Sequence, residues 1–172
     1  RGVRGERGTS NSRFTVFLPT DREESVEDGL GGTVQSSPPP ELVDLMGYAH
    51  NQGVTSLDLA GSYGSHPHAA DHLRAVGRDN VVVTTKTGAK DPDAARADIE
   101  KFLGELGTDR LDVVLMHCMG ASDWPTTRRE VMDVFSEFKR QGVIGAVGVS
   151  CHDHGALQSC ANEPWVDLVL AR

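Results

Sequence analysis

Residues 80–117 read NVVVTTKTGAKDPDAARADIEKFLGELGTDRLDVVLMH, and two changes of hydrophobic rhythm within them decide the fold. The run NVVVTTK (80–86) is almost continuous in β-branched residues, the signature of a strand buried on both faces of a parallel sheet. At Asp91 the rhythm becomes helical. Asp91 is placed to cap, Pro92 suits the first helical position, and Ala95, Ile99, Phe102, Leu103 and Leu106 form one apolar stripe that Gly107 ends. LDVVLM (111–116) returns to strand. Strand, helix and strand at this spacing make a βαβ unit, whose crossover is right-handed and whose strands are parallel.

The same alternation extends in both directions. Upstream, Pro38, Pro39 and Pro40 open a helix carrying Leu42, Leu45, Met46 and Ala49 at helical spacing until Gly53; a strand at 54–60 (VTSLDLA) and a helix over 66–76 follow. Downstream, the pattern predicts a helix over 125–141 that buries Val131, Val134, Phe135 and Phe138 and stops at Gly142. A strand within 143–150, a short helix over 153–161 and a last strand at 166–170 complete it. Two architectures build on such repeats, an open doubly wound sheet and a closed (β/α)8 barrel. The doubly wound dinucleotide folds place GxGxxG between first strand and helix. The nearest matches here are Gly29-Leu30-Gly31-Gly32, with no helix opening on it, and Gly142, Gly145 and Gly148, which run through a strand. Both read as turn and packing glycines.

The barrel is favoured by what stands at the strand C-termini. Asp58, Lys86, His117 and Ser150 follow one another at intervals of one βα unit, so four consecutive strands turn polar groups toward one rim, where barrel active sites are built. Tyr63 lies in the loop after Asp58 and can fold back over that rim. A phenol is a poor acid at neutral pH, its pKa being about 10. A neighbouring ammonium favours the phenolate, and a carboxylate beside that ammonium keeps it charged and oriented. Asp58, Lys86 and Tyr63 can therefore supply a tuned general acid, and His117 can hold a carbonyl oxygen. Such a site lacks only a hydride source.

With these residues in view, the chain resembles the aldo-keto reductases. GVTSLDLAGSYG (53–64) resembles that family's strand-2 signature, LGELGTDRLDVVLMH (103–117) its second signature, and GVIGAVGVS (142–150) the stretch that brings a Ser to the nicotinamide carboxamide. The resemblance implies a (β/α)8 TIM-type barrel, incomplete here at about six βα units. It also implies NADPH as cofactor and an aldehyde or ketone as small-molecule substrate, with Tyr63 as acid, Lys86 and Asp58 tuning it, His117 orienting the carbonyl and Ser150 binding cofactor. The family's Asn after that Ser is Cys151, and 166–170 contains no Gln. GLGGT (29–33) looks like the remnant of the first strand, and strands seven and eight have no counterpart. The expected organisation is a flexible arm with an acidic loop over 1–28 and a partial barrel domain over 29–172.

Composition is consistent with this reading. In 172 residues, 38% apolar, 19 Gly and 8 Pro indicate a packed core, and the length suits one domain by count. The net charge of −8 disfavours nucleic acid and anionic membranes as partners, and no apolar run is long enough to span a bilayer. Three cysteines, Cys118, Cys151 and Cys160, at irregular spacing argue for a reducing compartment, and cytoplasmic localisation is expected. His117, Cys118, Cys151, His152 and His154 match no zinc spacing, so no metal is expected. His66 and His68, flanking Pro67, read as solvated loop histidines, while Trp124 and Trp165 pack helix entries. Two alternatives stand beside the reductase: a non-catalytic nicotinamide-nucleotide-binding regulatory protein or inactive reductase fragment, and a metal-assisted hydrolase on the same barrel. Oligomeric state is not legible.

Overall fold

A computed structural model of the chain describes residues 15–17 and 40–171. Six parallel strands form one sheet in the order β1-β2-β3-β4-β5-β6: β1 (Thr15–Phe17), β2 (Ser56–Asp58), β3 (Val82–Thr87), β4 (Leu111–Met119), β5 (Ile144–Cys151) and β6 (Leu168–Ala171). Between them run α1 (Pro40–Asn51), α2 (His66–Val76), α3 (Pro92–Leu106), α4 (Trp124–Thr127), α5 (Arg129–Arg140) and α6 (His154–Cys160). A doubly wound sheet reverses its strand order at a switch point. Here each strand pairs with its predecessor without reversal, which is the order of a (β/α)8 barrel wall, six strands of it. No helix among the described residues is long and apolar enough to cross a membrane.

Local chemistry sets the α3 boundaries as the sequence predicts. The Asp91 carboxylate accepts the Ala94 amide at 2.8 Å, and Gly107 leaves the helix at φ 61°, a conformation that costs a glycine little. The predicted stripe is the buried one: Ala95, Ile99, Phe102 and Leu106 pack into a core shared with Val83, Val114 and Phe135. On α5, Val131, Val134, Phe135 and Phe138 are buried as expected. Trp124 is buried at the start of α4 and donates its indole N–H to the Ala156 carbonyl at 3.1 Å. Trp165 lies against Phe135.

Among the described residues, β1 at Thr15–Phe17 pairs Val16 with Leu57 within the segment expected as arm and acidic loop, and the expected first-strand remnant at 29–33 lies outside the described residues. Three expectations are corrected. The helix expected over 125–141 is two, because Arg128 takes φ −116° and breaks the α-helical path. β4 continues past Met116 to Met119. His66 and His68 are not loop residues: Pro67 sits in the first turn of α2, where its missing N–H costs nothing, and both histidines are buried.

Gly148 sits where β5 meets β6. A Cβ there would stand 1.8 Å from the Leu168 carbonyl oxygen, whereas one on Gly104 would meet nothing within 4 Å. Gly148→Ala is therefore expected to lower unfolding free energy by about 3 kcal/mol, the upper part of the usual overpacking range. Gly104→Ala, in the exposed interior of α3, is expected to raise it by about 0.5–1 kcal/mol. Urea denaturation of the two variants beside the parent checks both signs.

Candidate active site

Because β2, β3, β4 and β5 are parallel neighbours, their C-terminal ends share one rim. Alternation along β3 sends adjacent side chains to opposite faces. Thr85 faces the helices and meets His66 Nε2 at 2.9 Å, while Lys86 faces the other way. Lys86 is 1% exposed, a burial that lysine tolerates only when paired. Its ammonium lies 2.7 Å from Asp58 Oδ1 at the end of β2 and donates to the Leu59 carbonyl at 2.8 Å.

The turn after β2 is built to return Tyr63 over this pair. Gly61 donates its N–H to the Lys86 carbonyl at 2.9 Å, and Tyr63 N–H reaches the Ala60 carbonyl at 3.0 Å. A Cβ at Gly61 would stand 2.6 Å from the Phe102 ring, so the chain passes α3 closely only because residue 61 has none. Lys86 Nζ lies 5.1 Å from the Tyr63 ring centroid, and the Tyr63 and His117 rings meet edge to face at 5.7 Å. Asp58, Lys86, Tyr63 and His117 thus form one chain of contacts.

His117 stands where β4 leaves regular pairing. Met116 pairs with Val149 but Met119 pairs with Cys151, so β4 carries one extra residue, a bulge of the kind that re-aims a side chain. Within it Cys118 takes φ 58°, unusual for a residue with a Cβ, and its N–H donates to Ser150 Oγ at 2.8 Å. Ser150, 2% exposed, therefore fastens the bulge from the next strand while keeping its own hydroxyl proton to donate. The bulge and this bond were not legible in the sequence: β4 reads as an unbroken apolar run. Cys118 Sγ also lies 3.6 Å from His152 Nε2. Among the described residues, no three His, Cys, Asp or Glu side chains are grouped to hold a metal ion.

Burial above all, then the charges of Lys86 and His152, push the His117 pKa down from 6.5 to about 4. The unfolded chain then binds more protons than the folded one between these values. The His117 contribution to stability is complete above pH ~6.5 and is lost as pH falls toward 4. An NMR titration of the His117 ring is expected to show a midpoint near 4, and His117→Gln to flatten that part of the stability profile. A midpoint near 6.5 in the folded chain would contradict the burial argument.

Behind the sheet, the buried His66 ring bonds Glu105 at 2.7 Å through Nδ1 and packs edge-on to Phe102. Desolvation lowers its pKa against the opposing pull of Glu105. This cluster buttresses β3 from the helix side.

Comparison with known proteins gives a consistent result. The profile described as Aldo/keto reductase family matches residues 28–171. An aldo/keto reductase structure from Brucella melitensis is 25% identical with a TM-score of 0.63, the alignment covering 75% of this chain and 51% of that one. One from Klebsiella pneumoniae, solved in complex with NADP and acetate, is 27% identical with a TM-score of 0.61, covering 70% and 42%. An aldo-keto reductase from Bacillus halodurans in its holo form is 18% identical with a TM-score of 0.70, covering 80% and 50%, a likeness of fold. The chain spans about half the length of these structures. No curated protein matches it.

Proposed function

The chain belongs to the aldo/keto reductase family, and on that footing we propose that it carries the catalytic machinery for NADPH-dependent reduction of an aldehyde or ketone to the alcohol. One observation carries this reading: a fully buried lysine, ion-paired to Asp58, beside a rim tyrosine whose ring is edge-on to a histidine with a depressed pKa. An ion pair in this position is costly to desolvate, and its clustering with Tyr63 and His117 suits proton transfer better than simple stabilisation.

Tyr63 gives its phenolic proton to the carbonyl oxygen as that oxygen gains negative charge. The Lys86 ammonium favours the phenolate left behind, and Asp58 and the Leu59 carbonyl hold the ammonium in place. His117, neutral at physiological pH, donates a ring N–H to the same oxygen without competing as an acid. When bound, NADPH supplies the hydride. The donor set suits its nicotinamide end: the Ser150 hydroxyl retains a proton for the carboxamide, whereas Cys151, in place of the family's Asn, offers no amide. The NADP bound to the Klebsiella pneumoniae relative supports this choice of cofactor.

Titrating the purified chain with NADPH by fluorescence, then adding a simple aldehyde and following cofactor oxidation, tests the proposal. Saturable binding with turnover is expected. Binding without turnover would favour a nucleotide-binding regulatory role, and the absence of both would overturn the reading for this chain.

A further inference from the structure

Beside the rim, at the end of β5, Cys151 Sγ and Cys160 Sγ lie 3.6 Å apart, and neither thiol has a part in the proposed reduction. Local structure fixes this contact. Asp153 caps α6 by accepting the Ala156 amide at 3.0 Å, and Trp124 Nε1 holds the Ala156 carbonyl at 3.1 Å. Ser159 Oγ bonds the Ser122 carbonyl at 2.7 Å. With α6 pinned at both ends, Cys160 is delivered against Cys151, which β5 carries immediately after Ser150. Cys151 is 2% exposed, whereas Cys160 is half-buried, its thiol also donating to the Ala156 carbonyl at 3.3 Å.

We propose that Cys151 and Cys160 form an oxidisable dithiol, a modification site for hydroperoxides that closes to an intrachain disulfide between the end of β5 and α6. Cys160, the more exposed of the two residues, attacks one oxygen of the hydroperoxide; an S–O bond forms as the O–O bond breaks, and the leaving oxygen takes the Cys160 proton and departs as the alcohol, or as water from hydrogen peroxide. Cys151 then attacks the Cys160 sulfur, forming S–S and breaking S–O, and the departing hydroxide takes the Cys151 proton as water. In sum, two thiols lose two hydrogens while the hydroperoxide is reduced to alcohol and water. Burial, and then the contact with Cys160, push the Cys151 thiol up to about 12, so Cys151 stays protonated and the first attack is assigned to Cys160, with the Cys151 proton leaving only as the S–S bond forms. The product would tie the residue after Ser150 to the C-terminal turn of α6. None of this depends on the carbonyl-reduction reading.

The test treats the chain with equimolar hydrogen peroxide, alkylates remaining thiols, digests with trypsin and weighs the peptides. Cys151 and Cys160 fall in one peptide, 141–172, and Cys118 in another, 111–128. The expected result is peptide 141–172 two hydrogens lighter, with neither sulfur alkylated and both recovered by dithiothreitol, while 111–128 stays alkylatable. Cys160→Ser, at the more exposed of the two residues, is expected to abolish the lighter peptide. Full alkylation of both sulfurs after peroxide overturns the proposal. So does linkage between chains, or preferential oxidation of Cys118.

Discussion

Lys86→Met is expected to lower unfolding free energy by about 3–5 kcal/mol, the range for removing one partner of a buried ion pair. The Asp58 carboxylate would stay buried at 6% side-chain exposure without its cation, and the Leu59 carbonyl would lose the donor that reaches it at 2.8 Å. Coupling Lys86→Met to Asp58→Leu removes the stranded charge and is expected to recover most, though not all, of the loss, because Leu59 still lacks its donor. Urea denaturation of the parent and the single and double variants measures this. Carbonyl reduction is expected to fall by about 10²–10⁴ in both variants, the usual size of a proton-transfer contribution. Recovered stability without recovered turnover would separate the proposed chemical role of Lys86 from its structural one. Recovery of both would refute the chemical role.

Tyr63→Phe is expected to show the converse. The ring that meets His117 at 5.7 Å and Lys86 at 5.1 Å remains, so stability should change by less than about 1 kcal/mol, as for other changes outside the core. What disappears is the phenolic proton that the proposed mechanism gives to the carbonyl oxygen. The turnover rate is expected to drop by about 10³ while the midpoint of the NADPH fluorescence titration stays within a factor of two, since a contact made only in the transition state does not contribute to cofactor binding. A phenylalanine variant that reduced aldehydes at the parental rate would remove Tyr63 from the mechanism.

The sequence was most informative where structure is local. Asp91, Pro92 and Gly107 bound α3 because capping and left-handed backbone depend on one or two residues, and the α3 stripe is buried because helical spacing alone puts those side chains on one face. Asp58, Lys86, His117 and Ser150 could be assigned to one rim because strand ends recur at each βα unit. The burial of His66 was missed for a related reason: at the first turn of a helix beginning beside a proline, local sequence does not say whether a histidine meets solvent or another element. Its partners, Thr85 and Glu105, come from β3 and α3. Nothing near residue 66 announces them.

The sequence by itself therefore determined the alternation of helices with strands from β2 to β6, their parallel arrangement and the polar residues near the strand C-termini, since these features follow from hydrophobic period and chain punctuation over a few residues. It did not determine the break at Arg128 or the extension of β4 to Met119. Only the tertiary structure decided that Lys86 is sealed against Asp58 and Leu59 and that Gly61 lets Tyr63 return past Phe102. It alone shows that Ser150 clasps a bulge in the neighbouring strand and that Cys151 meets Cys160. These are contacts between separate elements. They are set by how the helices and sheet pack, and no short window of sequence encodes that packing.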